Sequence, residues 1–184
     1  SDDVTKFTYD MAKANQLLDE AGCRRPPNNP QGLRQKDGKE LRMRIFYNTG
    51  NIEREQIATI MQAQAKQLGI ELEVIGEEFQ AYVDRVTRRF DMELFILGWS
   101  SGLDPSGTEN IWATGKAQNS TGFSNPRVDE LYPKAAAVPG CKESDRKPLY
   151  AEISKLVTAE APYIFLYENE ILYGLSNRIQ PVSF

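Results

Sequence analysis

The clearest periodic pattern in the sequence is LRMRIFYNTGNIEREQIATIMQAQAKQLGIELEVIG, residues 41–76. Its first seven residues, 41–47, alternate apolar and basic side chains, which predicts a β-strand. From Ile52 to Leu68 the apolar residues recur at helical spacing, and Gly69 is typical of a helix end. Strict alternation returns over 70–76 and predicts a second strand. Because strand, helix and strand follow one another with short links, this stretch predicts a βαβ unit.

A second unit of the same kind follows directly. Residues 79–89 carry apolar side chains on one helical side, which predicts a short helix. Residues 92–98, MELFILG, form the most apolar of the three predicted strands and are expected to be the most buried. The two units together predict an α/β fold with a βαβαβ core and a parallel sheet.

Further elements are predicted on both sides of this core. Before it, residues 10–22 predict a helix capped by Asp10, and the proline-rich, charged residues 23–40 predict a long surface loop. After it, the pattern predicts helices over 124–137 and 144–161, with Ser144 capping the second, and two strands within 163–175 around a tight turn at Glu168–Asn169. These segments extend the core with additional carboxyl-terminal helices and strands.

The composition excludes several classes of function. The 184 residues carry a net charge of −4, from 26 acidic and 22 basic side chains, whereas nucleic-acid-binding domains are usually basic. No run approaches the roughly 18 apolar residues of a membrane helix. Histidine is absent, which removes the commonest general base and metal ligand. Cys23 and Cys141 are compatible with a disulfide or with two free thiols, and the sequence leaves both alternatives open.

Polar and aromatic side chains follow the predicted strands at the point where each strand ends. In open parallel sheets, ligands bind at the carboxyl ends of the strands. Tyr47 and Asn48 stand at the end of the first strand, and Trp99, Ser100 and Ser101 follow the third. Such side chains suit a polar organic ligand held by stacking and hydrogen bonds. The alternative for Trp99 is packing beneath a loop as part of a secondary core.

Catalytic functions find little support in the same residues. Without histidine, the chain cannot form a Ser-His-Asp triad, so an α/β-hydrolase-like enzyme acting through Ser100 or Ser101 is a remote alternative. A metal site built from carboxylates would need a loop rich in Asp and Asn, and Asp104, Glu109 and Asn110 are only a weak match to such a loop. The sequence therefore predicts a binding protein rather than an enzyme, with no metal and no cofactor.

Several phrases, in their order and spacing, resemble one family. They are YDMAKANQLLDEAG (9–22), QAQAKQLGIELEV (62–74), FDMELFILGW (90–99), GFSNPRVDEL (122–131) and DRKPLYAEISKLVTAEAPYIFLY (145–167). Together they resemble the carboxyl-terminal lobe of the family 5 extracellular solute-binding proteins, the oligopeptide-, dipeptide- and nickel-type receptors of ABC importers. The resemblance spans residues 7–184.

This resemblance implies an architecture and a function. Residues 1–184 are expected to form one ligand-binding lobe of the periplasmic-binding-protein-like (type II) fold, as a carboxyl-terminal part of a longer two-lobe receptor. The two lobes would close on a peptide or another small polar organic solute, and a membrane-embedded ABC permease would accept it. The implied location is periplasmic or extracellular, with a lipid anchor in an amino-terminal part outside this sequence. A sensory module that keeps the fold but signals to a membrane partner is the alternative.

The resemblance also adds residues to the expected site. Asp104 and Phe123 are expected to be outer ligand contacts. They join the expected contacts Tyr47, Asn48, Trp99, Ser100 and Ser101. Peptide-binding members carry an Asp shortly after the Gly-Trp pair, which holds the ammonium group of the peptide. Gly102 stands three residues after Trp99, and Asp104 belongs to a separate Asp-Pro turn. The ammonium-binding Asp is therefore not carried over to this sequence.

Overall fold

A parallel three-stranded sheet organises the amino-terminal part of the molecule. A computed structural model describes residues 4–100, 102–168 and 176. The sheet has the order β4-β3-β5, with β3 (Arg42–Asn48) between β4 (Glu71–Glu77) and β5 (Leu94–Phe95). Both neighbours run parallel to β3. The predicted βαβαβ core is thereby confirmed, and β3 and β4 each lie within one residue of their predicted bounds.

Helices cover both faces of this sheet. Helix α2 (Ile52–Gln67) connects β3 to β4, and α3 (Phe79–Asp84) continues into a π-helical turn over Arg85–Arg89 before β5. Alternate residues of a strand point to opposite faces, so Ile45 packs on the α2 side and Phe46 on the α3 side. Both side chains are only 1% exposed. Burial of both faces explains why β3 is hydrophobic without interruption from Ile45 to Tyr47.

Strand β5 is much shorter than the predicted 92–98. Its ladder contains only Leu94 and Phe95, followed by one hydrogen bond from the Ile96 amide to the Phe46 carbonyl. The Glu93 carboxylate explains why the ladder does not extend further at the amino end of β5. It accepts a hydrogen bond of 3.0 Å from the backbone N–H of Arg44, which a longer ladder would use. The predicted strand is therefore wrong in length, although its place in the sheet is confirmed.

The amino-terminal segment lies against one end of this unit. Helix α1 (Met11–Glu20) begins after Asp10, whose side chain accepts a hydrogen bond from the Lys13 amide as predicted. Residues 23–40 are not the featureless loop that composition predicts, because β1 (Gln35–Lys36) and β2 (Lys39–Glu40) pair as a small antiparallel hairpin. Arg34, just before the hairpin, is only 3% exposed.

A second core lies in the carboxyl-terminal helices. A 3₁₀ turn over Pro105–Thr108 leads into the short α4 (Glu109–Trp112), followed by α5 (Pro126–Ala136), a 3₁₀ turn over Pro139–Cys141, and α6 (Glu143–Glu160). Val128, Leu131 and Ile153 belong to the buried cluster between α5 and α6. Ser144 is not the cap of α6, because the helix begins one residue earlier. Its hydroxyl instead hydrogen-bonds the Asp145 carboxylate.

The remaining predictions concern the end of the chain, the cysteines and the membrane. Residues 163–168 form no strand, and the rest of the predicted hairpin, 169–175, lies outside the described residues. Cys23 and Cys141 are both free thiols, the first half-buried and the second exposed. Across residues 4–100 and 102–168, no helix combines the length and apolar character that crossing a bilayer requires.

Candidate functional site

The carboxyl edge of the sheet collects side chains from two neighbouring strands. Asn48 is the last residue of β3, and Asn51 caps the next helix by accepting a hydrogen bond from the Arg54 amide. Because α2 starts so soon after β3, the first turn of the helix stands at the same edge. Arg54, in that first turn, donates from Nη1 to Oδ1 of Asn48 over 2.6 Å. Both side chains are half-buried.

Arg54 also reaches the segment that follows β5. A Cβ atom built on Gly98 would lie 3.6 Å from Nη2 of Arg54. The guanidinium group therefore lies between the end of β3 and the segment that follows β5. We name Asn48, Arg54, Gly98 and Trp99 the carboxyl-edge site.

Trp99, which follows Gly98 directly, is the aromatic residue of this site. It is half-buried, and its indole Nε1 donates to the Tyr163 hydroxyl over 3.2 Å. The Tyr163 ring packs edge-on against Phe95, at 6.0 Å between centroids, and against Trp112 at 4.7 Å. Burial raises the pKa of the Tyr163 hydroxyl. Tyr163 thus joins the sheet to the carboxyl-terminal helices beside Trp99.

Two of the predicted contacts lie in the cores. Tyr47 is 8% exposed and packs on the α2 face of the sheet with Ala58 and Ile96. Phe123 is 7% exposed and packs in the helical core, edge-on to Trp112. Little of either ring is accessible, so neither joins the carboxyl-edge site in this structure.

Asp104 is held by neighbouring groups. Its carboxylate accepts hydrogen bonds from both Nη atoms of Arg146, at 2.7 and 2.9 Å, and from the Ser106 amide at 2.8 Å. The Arg146 guanidinium contributes most to holding the pKa of Asp104 well below its usual range. Asp104 therefore fixes the turn before α4 to α6. Ser100 is exposed at the carboxyl edge, and Ser101 lies outside the described residues.

A surface cavity is lined by residues outside the carboxyl-edge site. Its volume is about 520 Å³, and its lining includes Leu103, Asp104, Arg146 and Tyr150. The charges of Asp104 and Arg146 neutralise each other there. The carboxyl-edge site is the better candidate, because it lies where parallel sheets bind ligands and contains a cation without a carboxylate partner among the described residues.

A metal site finds no support in the part of the chain that the structure describes. No group of three or more cysteine, aspartate or glutamate side chains is placed there to hold a metal ion. The two carboxylates of the metal site considered from the sequence are both paired with cations: Asp104 with Arg146, and Glu109 with Lys116 at 2.8 Å.

Comparison with known proteins identifies the family. Residues 1–121 match the profile of the bacterial extracellular solute-binding proteins, family 5 (middle region). The chain belongs to this family. The oligopeptide-binding protein AppA of Bacillus subtilis is 32% identical over 168 residues, which cover 90% of this chain and 30% of AppA. The nickel-binding periplasmic protein of Escherichia coli is 28% identical over 161 residues, 85% of this chain and 30% of that protein. The chain thus spans about a third of the length of these family 5 relatives.

Solved structures support the fold. Bacillus subtilis AppA, determined in complex with a nonapeptide, superposes with a TM-score of 0.78 at 30% identity, over 88% of this chain and 32% of AppA. NikZ from Campylobacter jejuni, determined with Ni(L-His), has a TM-score of 0.77 at 23% identity, over 88% of this chain and 32% of NikZ, and shows the fold alone. The periplasmic-binding-protein-like fold is confirmed.

Sequence reasoning missed two residues of the site region, for different reasons. Arg54 had a usable signal, since a first-turn residue after an Asn51 cap stands at the edge where β3 ends. Tyr163 had none, because it meets Trp99 only through the packing of residues distant in sequence.

Proposed function

We propose that this chain is one ligand-binding lobe, a carboxyl-terminal part of a longer two-lobe receptor that captures peptides or another small polar organic solute for an ABC importer. The observation that carries the proposal is the carboxyl-edge site. It holds the Arg54 cation against the Asn48 amide at the end of β3, with Trp99 in the segment that follows β5, in a fold similar to that of AppA bound to a nonapeptide.

The chemistry of this site suits a peptide. The Trp99 ring offers an apolar face to a side chain or an extended backbone, while its Nε1 is already used by Tyr163. Arg54 and Asn48 offer N–H donors for carbonyl or carboxylate oxygens. This mixture of one stacking surface with a few placed polar groups is typical of small-ligand sites.

Closure of two lobes would complete the site. Several apolar side chains at the end of the described chain are exposed, namely Ile164, Phe165, Leu166 and Tyr167. A second lobe closing over the carboxyl edge would exclude water and add contacts from the other side of the ligand. A lobe by itself is therefore expected to bind weakly.

The proposed partners and location follow from the family. The closed receptor would deliver its ligand to an ABC permease in the membrane. We place it in the periplasm or outside the cell, with a lipid anchor in an amino-terminal part of the longer protein. A role in binding rather than catalysis is supported by Ser100, which is exposed and has no histidine in the chain to activate it.

Native mass spectrometry of the full-length protein that contains this chain tests the proposal. After gentle purification, we expect a ladder of co-purified peptides or a single small polar solute. Trp99→Ala should lower the bound fraction at least tenfold. Leu103→Ala, which truncates a fully exposed apolar residue in the lining of the surface cavity beside α6, should leave the bound fraction unchanged.

Other outcomes have defined meanings. Loss of ligand in Leu103→Ala but not in Trp99→Ala would move the site to the cavity beside α6. A wild-type protein that carries no ligand and binds none from a peptide mixture would contradict the receptor function and favour the sensory alternative.

A further inference from the structure

The segment 163–167 connects two parts of the carboxyl edge that are distant in sequence. At one end, the Tyr163 hydroxyl accepts a hydrogen bond from Nε1 of Trp99 over 3.2 Å. At the other end, the Tyr167 hydroxyl donates to Oε2 of Glu53 over 3.1 Å. Glu53 belongs to the first turn of α2, which starts at this edge of the sheet. The segment therefore joins the Glu53 carboxylate and Trp99 in one arrangement at the carboxyl edge.

Glu53 carries a charge that no cation of the described chain neutralises. No Lys or Arg nitrogen of a described residue lies within 4.0 Å of its carboxylate, which contacts only the neutral Tyr167 hydroxyl. The adjacent Arg54 does not supply the missing charge, because consecutive residues of a helix do not face each other. Its guanidinium group contacts the Asn48 amide instead.

Other acidic side chains around the sheet have simpler explanations. Glu77 pairs with an arginine, and so does Asp104. Glu78 accepts hydrogen bonds from backbone amides in the first turn of α3. Glu55 shares the first turn of α2 with Glu53, but it lines a separate surface cavity on that helix. The dipole of α2 stabilises both carboxylates, whereas Glu53 also contacts a described side chain 114 residues away.

The Glu53 carboxylate has room for a further donor. A carboxylate accepts hydrogen bonds at both oxygens, and the Tyr167 hydroxyl uses only Oε2. Hydrogen bonds between a carboxylate and a cationic N–H group are stronger than those between neutral groups. Both side chains are exposed in this lobe, and exposed ion pairs contribute little. A cation bound at Glu53 would therefore gain most when a second lobe closes and excludes water.

We propose that Glu53 binds a cationic nitrogen group of the ligand, an ammonium or guanidinium group, and so favours ligands that carry one. This inference rests on the proposed receptor function and deepens it, because it assigns a charged contact to the same site. Tyr167 is a positioning residue that holds the carboxylate on the side of α2 that meets segment 163–167. A peptide can supply the cation from its amino terminus or from a basic side chain, and the test separates these sources.

The test uses three synthetic nonapeptide pools of mixed sequence that otherwise lack Lys, Arg and His. The first pool has a free amino terminus, the second is N-acetylated, and the third is N-acetylated with one Lys or Arg at varied positions. Binding is measured by isothermal titration to the full-length protein stripped of co-purified ligand. We expect the wild type to bind the first or the third pool at least about tenfold more tightly than the second. The preferred pool identifies the source of the cation.

Glu53→Gln keeps the size of the side chain and an acceptor for the Tyr167 hydroxyl but removes the charge. In this variant, the preference should fall below about threefold, and the affinity for the acetylated pool without Lys or Arg should not change. Glu55→Gln is the matched control, since it removes the same charge from the same helical turn and should keep the wild-type preference. Tyr167→Phe leaves the carboxylate but not its positioning hydrogen bond, and should lower the preference in part.

Thermal melting checks the fold of each variant. Should Glu53→Gln not fold, Glu53→Asp takes its place, because its shorter side chain keeps the charge but moves it away from the ligand. The preference of Glu53→Asp should be at least about threefold lower than that of the wild type, and an unchanged preference would contradict the contact.

Four results would overturn the inference. Equal binding of the three pools by the wild type would overturn it while leaving the receptor function intact. A preference that persists in Glu53→Gln would assign the cation to another residue. An equal loss of preference in Glu55→Gln would indicate a general effect of negative charge rather than a contact at Glu53. Binding of none of the pools would overturn both the inference and the peptide class of ligand in the proposed function.

Discussion

Replacing Arg34 with Met should detach α1 and destabilise the whole amino-terminal segment. The buried guanidinium donates to the carbonyls of Leu68 and Cys23, at 2.8 and 2.5 Å, and to the side chains of Asp19 and Asn15, at 2.5 and 2.7 Å. It therefore ties α1 and the loop after it to the end of α2. Helix α1 contains no buried residue, so apolar burial contributes little to its docking.

The expected loss follows from the acceptors that remain. Hydrogen bonds from a charged donor contribute about 1.5–3 kcal/mol each. Asp19 is 56% exposed at its side chain, so water replaces Arg34 there at little cost. The carbonyls of Leu68 and Cys23 account for most of the effect, and methionine keeps part of the apolar packing of the arginine stem. We expect the free energy of unfolding to fall by about 3 kcal/mol.

Urea unfolding followed by circular dichroism measures this loss. With a slope of about 2 kcal/mol per molar, the midpoint should fall by about 1.5 M urea. Arg24→Met is the matched control in the same loop, and its exposed side chain predicts a change below about 0.5 kcal/mol. Hydrogen exchange in Arg34→Met should accelerate first in residues 11–20. A loss below about 1 kcal/mol, or equal effects of the two substitutions, would refute the role assigned to Arg34.

Three further predictions concern the loop before α5, the charges beside the sheet, and the thiols. Asn119→Ala removes two donated and two accepted hydrogen bonds from a buried side chain, so urea unfolding should show that the free energy of unfolding falls by about 2–4 kcal/mol. A loss below about 1 kcal/mol would contradict this prediction. The Arg85 guanidinium lowers the pKa of Glu77, so the ion pair stabilises the fold at neutral pH and this stabilisation is lost as the pH falls through the lowered pKa. Between about pH 5 and 3, the free energy of unfolding should therefore depend less on pH in Glu77→Gln than in the wild type. An unchanged pH dependence would contradict the stabilising role of the pair. Without reductant, a thiol reagent should modify exposed Cys141 faster than half-buried Cys23, and a protein with no reactive thiol until reduced would show a disulfide instead.

The strands and helices were predictable where side-chain periodicity determined them. The alternation of side chains located β3 and β4 to within one residue, because both strands pair and pack within the same βαβ unit. It failed for β5, where the Glu93 carboxylate occupies the Arg44 amide that a longer ladder would need. A side chain competing for a backbone group in another strand leaves no trace in the local pattern.

The candidate site was predictable only in part. Asn48 ends β3 and Trp99 lies in the segment after β5, as the rule for the carboxyl ends of parallel strands predicts, and their role as ligand contacts stays a prediction. The rule did not distinguish Tyr47, which shares the parity of Ile45 along β3 and therefore points into the α2 face. Phe123 is buried because Asn119 folds the preceding loop by hydrogen-bonding both the amide and the carbonyl of Phe123, a contact that composition does not reveal.

Hydrogen–deuterium exchange of the full-length protein, with and without a pool of synthetic nonapeptides of mixed sequence, tests whether the ligand binds at the carboxyl edge of the sheet. We expect ligand-dependent protection at residues 48–54 and 97–100, which form the carboxyl edge of the sheet. Residues 41–43 and 70–72, at the opposite end of the same strands, serve as the internal control and should not change. Protection confined to the control segments, or to the cavity between the Asp104 turn and α6, would contradict the placement of the ligand at the carboxyl edge.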